Sequence, residues 1–275
     1  MNSMILRASQ TTIAYEDLGT GPVMVLLHAF PLDSGMWRPQ IDRLCSDCRV
    51  IAPDFPGFGG SAVSAGLTVD SAADVVAELL DHLGINDRIA VGGVSMGGYV
   101  ALAFARLYPQ RLGALVLADT KADPDDETAR AGRDRLIQLA NEKGVNAVVE
   151  PLLPKLLGPT TMAQKPEVVE KVRAIAVKQS VEGVVAALKA LRERPDAGPG
   201  LAHIAVPTQV IVGEEDAITP LEKAKQLAET IPNARLVTIP GAGHLSNLED
   251  ESAFNIAVRE FLYALPAEQG PARTV

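Results

Sequence analysis

The sequence predicts an α/β protein built on a doubly wound, mostly parallel, eight-stranded sheet, with a helical cap inserted after the sixth strand. Three observations lead there. Short, β-branched, apolar runs alternate with helical patterns along most of the chain, and strand alternating with helix makes a parallel sheet covered on both faces. One long stretch, residues 121–195, carries helical periodicity and no strand signal. A serine crowded by glycines, in "VGGVSMGG", falls where a strand hands over to a helix.

Taken in order, residues 3–18 alternate like a two-stranded hairpin with "RASQTT" at its turn. The runs "VMVLLH", "RVIAP", "RIAVGGV", "GALVLAD", "TQVIVGE" and "RLVTIP" follow. Each is apolar at successive positions, which predicts parallel strands buried on both faces. Helical patterns lie at 69–83, 96–107, 220–230 and 250–264, with a short one at 39–45. The segment 121–195, interrupted by "LLPKLLGPTT" and "KP", is too long for a loop. It predicts a helical cap between a core of residues 1–120 and its continuation, 196–275. The tail "PAEQGPARTV" is expected to be disordered.

Composition excludes several classes. The chain has 275 residues, 47% hydrophobic and 4% aromatic, so a large core can be buried. The net charge of −9, without a basic cluster, argues against nucleic acid or an anionic membrane surface as partner. "MNSMILRASQ" lacks the charged and apolar regions of a secretory leader. Runs such as "VMVLLHAF" fall short of the roughly 20 residues that span a bilayer. A cytoplasmic protein acting on small molecules is expected. The sequence carries no signal for its oligomeric state.

The glycines around Ser95 are the strongest local signal. "GVSMG", residues 93–97, matches G-x-S-x-G between "RIAVGGV" and the helix "MGGYVALAFARLYP". A sharp strand-to-helix turn strains the serine and leaves no room for side chains two residues to either side. It presents the hydroxyl at the carboxyl end of the sheet, where open α/β folds bind ligands. The plain structural alternative is a glycine-rich turn with a serine N-cap.

A nucleophilic serine needs a base and an acid to orient it. Of four histidines, His82 lies within a helix, His203 leads into a strand and His28 ends the strand "VMVLLH". His244, in "PGAGHLSNLED", follows the last strand in a loop expected to be mobile, and its position suits the base. The acid comes from "VIVGEEDAITP", where Asp216 is favoured; Asp119, directly after "GALVLAD", is the competitor. Glu214 and Glu215 are expected to form an ordinary solvated strand end.

Two other motifs invite chemistry and decline it. Cys45 and Cys48 form C-x-x-C, but at the end of a helical pattern rather than at a helix N-terminus, where the dipole would activate a thiol. "DPDDE" lacks the ligand spacing and glycine of a calcium loop, and a solvated acidic face is expected.

The chain resembles the α/β-hydrolase superfamily almost end to end. "HAFP" at 28–31, "DFPGFGGS" at 54–61, "GVSMG" at 93–97, and "GEEDAITP" with "GAGH" stand in family order. The resemblance implies Ser95, Asp216 and His244 as a catalytic triad. It implies the backbone N–H groups of Phe30 and Met96 as an oxyanion hole, with His28 shaping that loop. It implies no metal and no organic cofactor. The family has glycine after its first histidine; here it is Ala29, so the loop must adopt a conformation that a methyl group tolerates. A serine at 95 also sets the chain apart from the epoxide hydrolases and haloalkane dehalogenases, which use aspartate there.

"HAFPLDSGMW" and "GHLSNLED" resemble most the esterase, enol-lactonase and non-heme haloperoxidase branch. The leading expectation is a carboxylic ester hydrolase for small or medium acyl groups. Lactone hydrolysis stands second, with perhydrolysis as a side activity. Carbon–carbon bond hydrolysis with the same triad, and a non-catalytic binder of this fold, stay open. Phe30, Trp37, Tyr99, Ile218 and Leu245 flank the motifs and are candidates for the pocket wall or the core.

Overall fold

The computed structural model describes residues 3–8 and 11–265. Strand β1 (Ser3–Ala8) pairs antiparallel with β2 (Thr11–Leu18); residues 9 and 10 of the expected turn, and the expected disorder of 266–275, lie outside the described residues. After β3 (Val23–Leu27) a 3-10 turn at Ser34–Trp37 leads into α1 (Arg38–Leu44). Then come β4 (Arg49–Pro53), α2 (Val69–His82), β5 (Ile89–Val94), α3 (Met96–Leu107) and β6 (Leu112–Ala118). Five helices follow: α4 (Glu127–Lys143), α5 (Val145–Leu156), α6 (Pro159–Gln164), α7 (Pro166–Ala176) and α8 (Val181–Arg192). The chain closes with β7 (Thr208–Gly213), α9 (Leu221–Thr230), β8 (Ala234–Ile239), α10 (Ser246–Glu249) and α11 (Glu251–Tyr263).

The strands form one mixed sheet in the order β1-β2-β4-β3-β5-β6-β7-β8. β1, β2 and β4 are joined by antiparallel pairings, and the pairings from β4 to β8 are parallel. Every residue of β5, β6 and β7 is buried, which is why their sequences show no polar alternation. β8 differs from its expected two-sided burial: it is an edge strand, and only Ile239 of its six residues is buried.

The strand order reverses between β3 and β5. Their register sets Leu27 opposite Gly93, so the loops after β3 and β5 leave the sheet side by side. That is the topological switch point of an open α/β sheet, where the carboxyl ends leave a crevice. Helix α3 starts in this crevice, and its residues Met96–Ala105 are all buried.

The helices between β6 and β7 rest on the core through specific contacts. Gln179 accepts from the Gly59 N–H at 2.9 Å and donates to Asp33 at 2.8 Å. Gly183 meets Gly57 backbone to backbone; a Cβ there would lie 2.0 Å from the Gly57 carbonyl oxygen. "DPDDE" is not the solvated acidic face expected of it. Asp125 is buried and bonds the equally buried Arg194 at 2.6 Å, with Arg133 at 3.1 Å, while Asp126 caps α4. A carboxylate enters a protein interior only with such partners, and both arginines lie too far along the chain for local patterning to reveal. Among the described residues no helix is long and apolar enough to cross a membrane, and no group of three or more His, Cys, Asp or Glu side chains is placed to hold a metal ion.

Candidate active site

Ser95 stands between β5 and α3 with φ 53° and ψ −113°, a region that L-residues occupy only under constraint from their surroundings. The constraint is close packing. A Cβ on Gly93 would lie 2.2 Å from the backbone of Gly97, and one on Gly97 would lie 2.0 Å from the Leu27 carbonyl oxygen. Glycine at both positions therefore lets α3 start hard against the end of β3. The Ser95 N–H donates to the Ala118 carbonyl at 3.0 Å and its carbonyl accepts from the Thr120 hydroxyl at 2.9 Å, so β6 and the residues just beyond it hold the turn.

His244 faces this serine. Its Nε2 is 2.7 Å from Ser95 Oγ, and its Nδ1 is 2.9 and 3.0 Å from the two carboxylate oxygens of Asp216. Because an ionised carboxylate only accepts, Nδ1 carries the ring proton and Nε2 turns its lone pair toward the serine. Asp216 also accepts from the Ile218 and Thr219 N–H groups, at 2.8 and 3.0 Å, and from the Thr219 hydroxyl at 2.6 Å. Burial raises the Asp216 carboxyl, but the His244 charge and the bonds from His244 and Thr219 outweigh it and bring the pKa down to about 2.

Asp119 sits beside this pair without touching the imidazole. It directly follows β6 with φ 45°, fully buried, and accepts from the Gly213 N–H at 2.8 Å and from the Ser246 N–H and hydroxyl at 3.2 and 2.5 Å. Burial and the Asp216 charge raise its carboxyl well above the usual range, against the pull of those three donors. The His244 loop, expected to be mobile, packs into the interior: residues 242–249 are all buried.

A family model of the alpha/beta hydrolase fold matches residues 22–251. The chain belongs to the α/β hydrolase family. A thermophilic esterase from Thermogutta terrifontis, solved with malate bound, superposes on this hydrolase with TM-score 0.93 and 41% identity, covering 96% of this chain and 99% of that one. The 3-oxoadipate enol-lactonase 2 of Acinetobacter baylyi is 30% identical over 256 residues, 92% of this chain and 94% of its own. The enol-lactonase of Burkholderia xenovorans aligns with TM-score 0.88 and 29% identity, over 94% of this chain and 100% of that one.

In this α/β hydrolase the loop after β3 is held by His28. The Phe55 N–H donates to His28 Nε2 at 2.9 Å, so Nδ1 is protonated and donates to the Ala29 carbonyl at 3.1 Å. Burial lowers the imidazole pKa, and Phe55 and Phe58 pack on the ring at 4.5 and 5.2 Å. Among the described residues only Ser95 and Asp119 have positive φ outside glycine, so Ala29 takes up the loop conformation without that strain. Phe30 is buried beside Phe58, and Met96 opens α3, where no preceding turn accepts its N–H.

The remaining candidates divide. Ile218 is half-buried on the Asp216 turn, and Tyr99, one turn past Ser95, lies under the Arg194 guanidinium at 4.3 Å. Trp37 packs in the core against Phe254 at 6.1 Å, and Leu245 is fully buried. Two glutamates escaped sequence reasoning. Glu215 is no solvated strand end: it accepts from the Thr160 N–H at 2.8 Å and hydroxyl at 2.5 Å. Glu249 is buried and accepts from the N–H groups of Leu245 and Gly158, at 3.1 and 2.8 Å. Their only sequence signal is adjacency, one residue before Asp216 and five after His244.

Proposed function

We propose that this hydrolase cleaves carboxylic esters of small or medium acyl groups through an acyl-enzyme on Ser95. The observation that carries the reading is the relay from Asp216 to His244 Nδ1 at 2.9 Å and from His244 Nε2 to Ser95 Oγ at 2.7 Å. A hydroxyl that close to an unprotonated imidazole nitrogen gives up its proton as Oγ attacks an acyl carbonyl. The imidazolium is stabilised by Asp216 and returns the proton to the leaving alcohol. Water, deprotonated in turn by His244, then cleaves the acyl-enzyme and restores Ser95.

The oxyanion of each tetrahedral intermediate would be met by the N–H groups of Phe30 and Met96, which follow the neighbouring strands β3 and β5. A donor of this kind contributes about 3 kcal/mol to the transition state. Residues 121–195 form the cap of this reading, over a core of 1–120 and 196–275. Its alanine, valine and leucine content favours uncharged acyl groups, and each buried methylene adds about 0.8 kcal/mol until the cavity is full.

A lactone is the second reading. The relatives named as enol-lactonases support it, and a lactone presents the same acyl–oxygen bond to the same relay. A panel of p-nitrophenyl esters with a lactone included separates the two. We expect kcat/KM to rise from acetate to an acyl chain of about four to six carbons and then fall, as a filled cavity requires. A peak on long-chain lipid, or turnover of the lactone alone, would refute the ester assignment.

A further inference from the structure

Residues 158–160, at the join of α5 and α6, touch both loops that carry the acid and the base. On the base side, Gly158 lies against Gly243, the residue before His244: a Cβ on Gly243 would come within 2.2 Å of the Gly158 nitrogen. Glu249 spans the same gap, one oxygen on the Leu245 N–H directly after His244 and the other on the Gly158 N–H. The Lys165 ammonium adds a bond to the Glu249 backbone carbonyl at 2.5 Å. On the acid side, Glu215, next to Asp216, takes both the N–H and the hydroxyl of Thr160.

We propose that Glu249 and Glu215 are positioning residues, which use residues 158–160 as a strut to hold His244 and Asp216 in register. The proposal rests on the reading of Ser95, Asp216 and His244 given above. The acid loop follows β7 and the base loop follows β8; the two meet directly where the Glu215 N–H donates to the Ala242 carbonyl at 2.7 Å, and residues 158–160 add a second tie from the segment between β6 and β7. Two carboxylates, Glu215 beside Asp216 and Glu249 at the end of α10, bond Gly158 and Thr160 of the same segment between β6 and β7. Charge-assisted bonds to backbone N–H groups are short and directional, and Glu249 makes its two inside the protein, where an unpaired partner is costly. The insertion would then set the rate of the chemical step as well as the size of the pocket. Displacement of a catalytic group by about 1 Å costs up to roughly 100-fold in rate.

The test compares Glu249→Gln, Thr160→Val and Thr160→Ser with the unaltered protein. Three quantities are measured for each: kcat and KM on p-nitrophenyl butyrate, and the rate at which a fluorophosphonate labels Ser95. The glutamine amide offers one acceptor oxygen where the Glu249 carboxylate offers two. Valine in place of Thr160 removes the hydroxyl that serine keeps. We expect kcat and the labelling rate to fall together by about tenfold or more in Glu249→Gln and Thr160→Val, with KM within about twofold. Thr160→Ser should restore the rate. If Glu249→Gln does not fold, the Thr160 pair decides alone. Unchanged kcat and labelling in Thr160→Val, or an effect confined to KM, would overturn the proposal. Failure of the underlying reading looks different: the unaltered protein would not be labelled at Ser95 at all.

Discussion

Asp119 accepts the hydroxyl of Ser246 at 2.5 Å, two residues past His244. Its other oxygen takes the Gly213 N–H, three residues before Asp216. One buried carboxylate at the end of β6 thus braces both loops, while of the two aspartates only Asp216 bonds the imidazole.

Replacing Asp119 by Asn leaves a single acceptor oxygen facing three donors, and turns an NH2 group toward one of them. We expect Asp119→Asn to lower stability by about 1–3 kcal/mol, the cost of orphaning a buried donor, with a smaller loss of kcat than Asp216→Asn. Urea unfolding and steady-state kinetics on both variants check this. A larger kcat loss at Asp119 would exchange the roles assigned to the two aspartates.

Asp216→Asn should reduce kcat by about 10⁴-fold, because the neutral amide no longer holds the Nδ1 tautomer or offsets the imidazolium charge. It should also alter acid stability. The native carboxyl titrates at about 2, below its value of about 3.9 in the unfolded chain. A depressed native pKa gives stability that is complete above the unfolded value and is lost as pH falls through the native one. Between roughly pH 4 and 2 the unaltered protein should therefore lose on the order of 2 kcal/mol that Asp216→Asn does not lose. Denaturant midpoints measured across that range give the answer.

At Ser95 function and stability should trade against each other. A fluorophosphonate should add to Ser95 alone and stop turnover, and Ser95→Ala should be inactive. Glycine adopts positive φ freely, so Ser95→Gly should be more stable than Ser95→Ala by about 1 kcal/mol. Equal thermal stability of the two variants would show that φ 53° carries no strain here.

The two thiols should prove chemically quiet. Cys48 is buried, and burial together with the Asp47 and Cys45 charges pushes its pKa up to about 12, the opposite of an activated cysteine. Iodoacetamide at pH 8 should modify Cys45 well before Cys48, and Cys45→Ser with Cys48→Ser should keep activity within about threefold. A large loss would restore the redox reading of C-x-x-C.

Much of this molecule is local enough to be read from its order of residues. The strands β3, β5, β6 and β7 announce themselves as apolar runs because both of their faces are covered. Ser95 stands out because its turn admits only glycine at 93 and 97. Asp216 and His244 stand out as candidates from chain order, since each lies just beyond a strand whose carboxyl end faces the crevice. Asp119 meets the same criterion, and only the 2.9 Å contact of Asp216 with His244 separates the two acids. What the tertiary structure alone decided are the partnerships between residues remote in sequence. Asp125 with Arg194, Glu249 with Gly158, Glu215 with Thr160 and Asp119 with Ser246 each close over a distance that no local pattern spans. A charged residue in a loop reads as solvated because most are, and only packing shows which ones have lost their water. The same holds for the His244 loop, which lies just beyond an edge strand and yet is buried, with Gly243 packed against Gly158. Propensity and periodicity are properties of neighbours along the chain, and desolvation is a property of neighbours in space.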